Sequence, residues 1–225
     1  MRLNSKELKR LADVKSFSEQ INKSLPDKIF VASLSHTSKL PFKALSLREV
    51  LIHRVAELSE TAVNLFESNK LVPAIIMTRA VFESTAVLYW LYERIKQVSI
   101  TKELGDIDEF LMKSLFGGRV SEAPVESYNV LTAIDHINKK FAFYKESYDN
   151  LSDYAHPNWP GLMGAYSKLD KKEMTLHLGK QVGNVPILVA LPLLAASLKL
   201  FIHYYDDMEK YLLQFNKICD EMHGN

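Results

Sequence analysis

The stretch that decides the fold is residues 72–95, VPAIIMTRAVFESTAVLYWLYERI. Its apolar residues occupy almost every side of a helix, which is typical of a helix in the middle of a bundle. Pro73 lies near the predicted first turn, where the missing amide hydrogen costs nothing. Before Glu93 the only charged side chains are Arg79 and Glu83, which are four residues apart and therefore on one face. We expect these two to form a buried or half-buried ion pair.

A second stretch, residues 141–159 (FAFYKESYDNLSDYAHPNW), carries the sharpest chemistry. It places Tyr148, Ser152 and His156 at four-residue intervals, so that they share one face of a helix. The proline that follows His156 disfavours helix at that residue, which predicts an imidazole at the last turn, where unpaired carbonyls favour a cation. We expect the ring to lie beside a cleft and to hydrogen-bond with Glu83 or Tyr148.

Apolar periodicity predicts three more main helices. The first covers about 46–68 and begins with the capping-box pattern from Ser46 to Glu49. The second covers about 126–156 and contains the stretch just quoted. The third covers about 186–222. Its first half is apolar on all sides, which predicts a core helix, and its second half keeps one apolar stripe, which predicts a surface or interface helix.

Shorter elements complete the predicted fold. We expect an N-terminal helix over 4–25, capped by Asn4, and a short helix over 107–116. Residues 164–180 (GAYSKLDKKEMTLHLGK) form two alternating runs around a charged turn, which predicts a β-hairpin. An isolated hairpin is marginally stable at best, so it should rest on the helices. The predicted fold is all-α, an up-and-down bundle of four main helices with an N-terminal helix and a small β-hairpin insertion.

The composition predicts one domain. Of 225 residues, 47% are hydrophobic and 24% are charged, which is ordinary for a globular protein with one core. No internal repeat, low-complexity tract or linker divides the sequence. We therefore predict a single domain over 1–225, with an N-terminal appendage (1–45), a core (46–205) and a C-terminal helix extension (206–225).

Charge and cysteine content restrict the class of protein. Lys and Arg number 28 and Asp and Glu number 27, so a nearly neutral chain lacks the overall field of a DNA-coating or membrane-surface protein. A single cysteine, Cys219, excludes an internal disulfide framework, and the first residues lack the apolar core of a signal peptide. The most apolar segment, 187–202, is shorter than the about 20 residues that span a bilayer. We expect a cytoplasmic protein with no membrane partner.

The polar residues of the two quoted stretches have two interpretations. They form either a buried polar network that fixes helix packing, or a functional site, because histidine, arginine and a carboxylate together can transfer protons and hold an anion. In a functional site the candidate catalytic residues are His156, Arg79 and Glu83, and the candidate binding residues are Tyr148, Ser152 and Asp153. A groove beside His156 that is lined by Lys139, Lys140 or Lys168 would favour an enzyme.

Neither a metal nor a cofactor is expected. Asp153 and His156 have the one-turn spacing of carboxylate and histidine ligands, but the other pair of this kind, Asp220 and His223, lies close to the last residue of the sequence. Glycine-rich phosphate loops, cysteine pairs and a nucleophile elbow are absent from the sequence.

Residues 73–91 (PAIIMTRAVFESTAVLYWL) and 148–158 (YDNLSDYAHPN) resemble a bacterial family of unknown function. In that family an Arg-x-x-x-Glu helix and a Tyr-x-x-Leu-Ser-x-x-x-His-Pro helix recur, and the bundle is similar to HEPN-type domains. The resemblance covers about residues 46–205. Its motif residues match Arg79, Glu83, Tyr148, Leu151, Ser152, His156 and Pro157 in this sequence.

One departure from the HEPN pattern concerns the arginine. HEPN-type ribonucleases hold an arginine and, four to six residues later, a histidine on one helix, whereas the predicted helix of His156 carries no such arginine. The pair Arg48 and His53 has that spacing, but such a pair is expected by chance in a chain of this composition.

The resemblance implies an HEPN-like helical protein that acts as a protein- or RNA-interaction module in bacterial stress, phage defence or a toxin-antitoxin setting. The alternative is a metal-independent ribonuclease in which His156 is the general acid or base and Arg79 stabilises phosphate charge. Five aromatic residues that could stack on RNA bases have helical spacing and are interpreted as core: Tyr89, Trp90, Tyr92, Trp159 and Tyr166.

We also expect a homodimer. The apolar stripe of the last predicted helix continues through Leu212, Phe215 and Cys219, beyond what a four-helix core of this length requires. HEPN-like proteins also commonly pair, so the resemblance implies the same.

Overall fold

The computed structural model describes residues 4–30, 34–35, 37–118, 123–180 and 187–223. Its helices are α1 (Ser5–Lys23), α2 (Leu40–Glu67), α3 (Leu71–Thr101), α4 (Ile107–Phe116), α5 (Val130–Asn138), α6 (Tyr144–Ala155), α7 (Met163–Tyr166) and α8 (Ile187–His223). Its strands are β1 (Gly117–Gly118), β2 (Val125–Glu126), β3 (Ser167–Asp170) and β4 (Thr175–Leu178). The structure is a helical bundle with two small two-stranded sheets, so the predicted all-α class is confirmed.

Helix α3 lies at the centre of the bundle, as its sequence predicts. It packs against α2, α5, α6 and α8. All residues from 84 to 92 are buried, so this part of the helix is enclosed on every side. The range includes Tyr89, Trp90 and Tyr92, so the core interpretation is confirmed for these three aromatic residues, but it is wrong for Trp159 and Tyr166, which are exposed.

Helix α2 begins six residues earlier than predicted. Its first residue is Leu40, and Pro41 occupies the first turn. A proline there has its φ fixed near the helical value and lacks only an amide hydrogen that the helix cannot use. The predicted cap residues Ser46 and Glu49 therefore lie inside the helix, and the predicted start at residue 46 is wrong.

The single helix predicted over about 126–156 is two helices, α5 and α6. The break follows Asn138, whose side-chain Oδ1 accepts a hydrogen bond from the backbone amide of Lys145 at 3.0 Å. A side chain that binds a nearby backbone amide competes with continuous helix. The apolar spacing passes through this break unchanged, so periodicity alone could not reveal it.

Helices α1 and α8 pack on each other, and this contact corrects the prediction for the second half of α8. Met208, Phe215 and Cys219 are buried, whereas the sequence predicted a surface or interface stripe. Helix α1 contributes its own apolar face to the same core, for example with Val14 and Ile21. The stripe is thus covered within the chain and no longer argues for a dimer.

The N-terminal cap, the short helix α4 and the β-hairpin form as predicted. The Asn4 side chain accepts from the amides of Lys6 and Glu7. Strands β3 and β4 pair antiparallel around the charged turn. The parallel pairing of β1 with β2 was not foreseen. The expectation that the hairpin rests on the helices is wrong for β4, because all four of its residues are exposed.

Among the described helices, α3 is long and apolar enough to cross a membrane, and just over half of its most apolar window is buried inside the protein. A core helix of this length passes the same test, so one such helix is weak evidence of a membrane location. The segment 187–202 lies in α8, where Leu191, Leu194, Leu198 and Phe201 are buried.

Candidate functional site

Two of the predicted catalytic residues meet one of the predicted binding residues between α3 and α6. Arg79 Nη2 lies 3.2 Å from Glu83 Oε1, and it donates a hydrogen bond to the Tyr148 hydroxyl at 2.8 Å. The same hydroxyl donates to Glu83 Oε1 at 3.0 Å. Both charged side chains are 25% exposed, so the predicted half-buried ion pair is confirmed.

The triad Arg79–Glu83–Tyr148 is joined by its own hydrogen bonds, while Arg79 Nε is buried without a hydrogen-bond partner among the described residues. The tyrosine hydroxyl is both donor and acceptor within it, and the guanidinium lies 5.1 Å from the centre of the tyrosine ring. The three side chains therefore connect α3 to α6 through mutual contacts. Such an arrangement fixes the packing of two helices.

The structure separates the other predicted residues from this triad. Ser152 donates to the backbone carbonyl of Tyr148 in its own helix at 2.8 Å. Asp153 is exposed and accepts from the side-chain amide of Asn158 at 3.3 Å. Neither contributes a side-chain contact to Arg79 or Glu83 among the described residues.

His156 is exposed, and the predicted hydrogen bond from its ring to Glu83 or Tyr148 is wrong. The residue is the C-cap of α6, with φ −91° and ψ 149°. This extended backbone is what the following proline imposes. The backbone amide of His156 still donates to the Ser152 carbonyl at 3.1 Å and so closes the last turn, but the residue is exposed and its ring makes no hydrogen bond to the triad among the described residues.

A cleft of about 710 Å³ lies elsewhere, between the C-terminal half of α3, the residues before α4 and the end of α5. Its charged and aromatic lining is Tyr89, Trp90, Glu93, Arg94, Lys96, Asp106, His136, Lys139 and Lys140. Lys139 and Lys140 thus line a groove, but the histidine in it is His136 and not His156, so this cleft is not the groove beside His156 that would have favoured an enzyme.

The floor of the cleft is aromatic. The imidazole of His136 stacks on the indole of Trp90, with the ring centres 4.7 Å apart and the planes at 21°. Trp90 also packs against Phe110 and Tyr128 behind it. The guanidinium of Arg94 lies 5.0 Å from the Trp90 ring centre, a cation–π distance. Stacking on these rings orients His136.

The electrostatics of the cleft keep His136 neutral. Burial lowers the pKa of the imidazole below its ordinary 6.5, and the nearby charges of Lys139 and Arg94 lower it further. Arg94 itself is paired: Nη2 lies 3.0 Å from Asp106 Oδ2, and hydrogen bonding to the guanidinium lowers the pKa of that carboxyl. At neutral pH His136 is therefore an uncharged donor and acceptor.

The remaining cations of the cleft are not neutralised. Lys96, Lys139 and Lys140 have no carboxylate within 4 Å in the part of the chain that the structure describes. Lys96 lies 5.5 Å from the ring centre of Tyr92, and Lys140 lies at the same distance from that of Tyr204. The cleft thus combines positive charge with stacked rings.

Sequence reasoning missed this cleft because its residues come from three separate segments. The available signal was His136 one turn before Lys139 and Lys140 at a helix end, since that spacing places them together. Their meeting with Trp90 and Arg94 depends on how α5 packs on α3, and no spacing in the sequence encodes that.

The pair Arg48 and His53 forms no joint site. Arg48 is buried, donates to Glu49 at 2.6 Å and to Glu209 at 3.0 Å, and so connects α2 to α8. The His53 ring instead lies 2.7 Å from the backbone oxygen of Pro26. This agrees with a chance match of the spacing.

No group of three or more His, Cys, Asp or Glu side chains in the described ranges is arranged to hold a metal ion.

The chain matches no known protein family, no curated protein and no solved structure. The resemblance to HEPN-type domains therefore stays a prediction.

Proposed function

We propose that this protein is an RNA-interaction module that binds single-stranded RNA in the cleft between α3 and α5. The observation that supports this most is the grouping of Lys96, Lys139 and Lys140 around the His136–Trp90 stack, where none of the three lysines has a carboxylate partner among the described residues. Proteins that bind single-stranded nucleic acid combine a cationic groove with aromatic rings on which bases stack.

The lysines supply the affinity in this proposal. A phosphate group gains most from a cation that has no carboxylate to give up, because no existing ion pair is broken. Lys139 and Lys140 are exposed at the rim, where a flexible ammonium can follow a phosphate backbone. The overall charge of +1 implies that binding depends on this local group and is sensitive to salt.

The neutral imidazole supplies recognition. An unstacked RNA base is recognised by stacking and by hydrogen bonds to its edges, and a neutral imidazole offers both a ring face and a donor with an acceptor. His136 is half-buried and held on Trp90, so it loses little freedom when a base packs against it.

The alternative, a ribonuclease that uses His156 and Arg79, has less support. Arg79 is already bonded to Tyr148 and Glu83, and the exposed ring of His156 makes no hydrogen bond to that triad. General acid–base catalysis at a phosphodiester requires the two groups to act on one substrate. The bacterial stress or phage-defence setting is a prediction from the resemblance.

The test is binding of a fluorescein-labelled single-stranded RNA, measured by anisotropy at several salt concentrations. The double variant Lys139→Gln/Lys140→Gln should bind about tenfold more weakly. The slope of log K against log salt should fall by about 1.4, because each lost phosphate contact on a single strand accounts for about 0.7. The matched control is Lys171→Gln/Lys172→Gln, which removes the same charge from adjacent exposed lysines in the hairpin turn.

Equal losses in the two double variants would contradict the cleft as the binding site, and so would an unmodified protein without measurable affinity. Cleavage of the RNA that disappears in His156→Ala, with Lys139→Gln/Lys140→Gln still active, would establish the ribonuclease instead.

A further inference from the structure

The β-hairpin formed by β3 and β4 is amphipathic, and its apolar face is uncovered. The register pairs Leu169 with Leu176 and Ser167 with Leu178, and paired residues in an antiparallel ladder share a face. The opposite face carries Lys168, Asp170, Thr175 and His177. The hairpin thus has one face with three leucines and one serine, and one polar face.

Two methionines extend this surface. The Met163 sulfur lies 3.8 Å from the Ser167 hydroxyl, so its side chain borders the apolar face at one end. Met174 borders the charged turn at the other end, directly before β4. We name the five apolar residues the hairpin face: Met163, Leu169, Met174, Leu176 and Leu178. They are between 43% and 82% exposed.

This exposure is unusual for a two-stranded sheet. A lone hairpin is marginally stable in water, and burial of its apolar face against another surface is what normally stabilises it. Helix α7 and β3 are in contact, but all four residues of β4 are exposed. An apolar face that the described residues leave uncovered in this way is characteristic of an interaction surface.

We propose that the hairpin face is covered by the same face of a second copy of this chain, with the two hairpins stacked across a two-fold axis. Five large side chains at these exposures present on the order of 500 Å² of apolar surface, which lies in the upper part of the range for the largest apolar patch of a monomer, and such patches are often functional. A standard interface buries about 800 Å² per partner, of which about 450 Å² is apolar. The hairpin face therefore matches the apolar part of one side of a standard interface, and the polar residues around it supply the remaining area in this proposal.

The charge distribution is compatible with an identical partner. None of the five residues is charged, so two copies can meet without burying like charges against each other. Ser167, the polar residue among them, already donates to the Met163 carbonyl at 2.7 Å, so its hydroxyl keeps a partner when water is excluded. Lys168 and Asp170 lie on the opposite face and stay in water.

This interface differs from the one predicted on α8, because Phe215 and Cys219 of the α8 stripe are buried within the chain whereas the hairpin face is exposed. The proposal does not depend on RNA binding, since the hairpin face shares no residue with the cleft.

The first experiment measures the mass in solution by light scattering at about 10–200 μM. The unmodified protein should approach twice its 25.7 kDa at the highest concentration. Leu176→Lys/Leu178→Lys should raise the dissociation constant at least tenfold, because charges on the hairpin face would be desolvated in the dimer. The control Thr175→Lys/His177→Lys introduces the same lysines on the polar face and should leave the mass unchanged. Circular dichroism checks that all forms keep the same helix content.

The second experiment places a cysteine near the two-fold axis. Oxidised Leu176→Cys should form a covalent dimer, and oxidised His177→Cys, one residue away on the polar face, should not. Cys219 is buried, and burial raises the pKa of its thiol to about 12, so it does not compete.

The proposal is overturned if the unmodified protein is a monomer at 200 μM, if both lysine variants dissociate equally, or if His177→Cys crosslinks as well as Leu176→Cys. It is also overturned if a monomer sediments with vesicles of anionic phospholipid and Leu176→Lys/Leu178→Lys does not, since the face would then be a membrane contact.

Discussion

At the residue scale, the structure divides the predicted polar cluster into a structural part and an exposed part. Arg79, Glu83 and Tyr148 form a mutual triad between two helices, and His156 lies outside it. The three triad residues lie inside α3 and α6, where these helices pack on each other, whereas His156 is the exposed C-cap of α6 directly before a proline. The half-buried histidine is instead His136, whose ring stacks on Trp90.

Replacing Tyr148 with Phe tests the triad. The change removes the hydroxyl that joins Arg79 to Glu83 but keeps the ring, so we expect a loss of about 1–2 kcal/mol in the free energy of unfolding, measured with urea. The control is Tyr154→Phe, also in α6, whose hydroxyl makes no hydrogen bond among the described residues. Equal losses in both variants would mean that the triad contributes nothing specific.

At the element scale, the helices follow their apolar periodicity, but their ends follow local chemistry. Helix α4 has the predicted limits because its sequence is amphipathic over one short span. Helix α2 starts at Leu40 because Pro41 favours a first turn there. The helix predicted over 126–156 breaks after Asn138, where a side chain supplies the acceptor that the backbone would otherwise supply.

The break between α5 and α6 predicts the effect of Asn138→Ala. Loss of the side-chain oxygen leaves the Lys145 amide without this acceptor, so we expect the free energy of unfolding to fall by about 1 kcal/mol in a urea titration. Asn150→Ala, at an exposed position of α6, should change it by less than about 0.5 kcal/mol. If Asn138→Ala instead stabilised the protein, the result would mean that a continuous helix through this region is more stable than the observed break.

At the scale of the whole molecule, α1 is a structural part of the bundle. It packs on α8, and Val14 and Ile21 are buried in the same core as Phe215. The surface left uncovered is instead the hairpin face. Whether an apolar stripe is buried depends on which elements pack together. The stripe alone therefore does not predict whether its packing partner lies in the same chain or in a second one.

Opening the contact of α1 with the bundle should expose Cys219. Val14→Asp places a charge at a fully buried position, so we expect a thiol reagent to label Cys219 at least tenfold faster than in the unmodified protein. Lys9→Asp, at an exposed position of the same helix, should leave the rate unchanged. An unchanged rate in Val14→Asp would show that α1 does not protect this part of α8.

The sequence by itself determined the helical class, the central position of α3, the hairpin and the pairing of Arg79 with Glu83. Each of these depends on residues close together in the chain, where spacing fixes which side chains share a face. Only the tertiary structure decided the position of His156, the cover of α8 by α1 and the cleft at His136. These depend on how distant segments pack, and that is set by the summed contacts of the whole core.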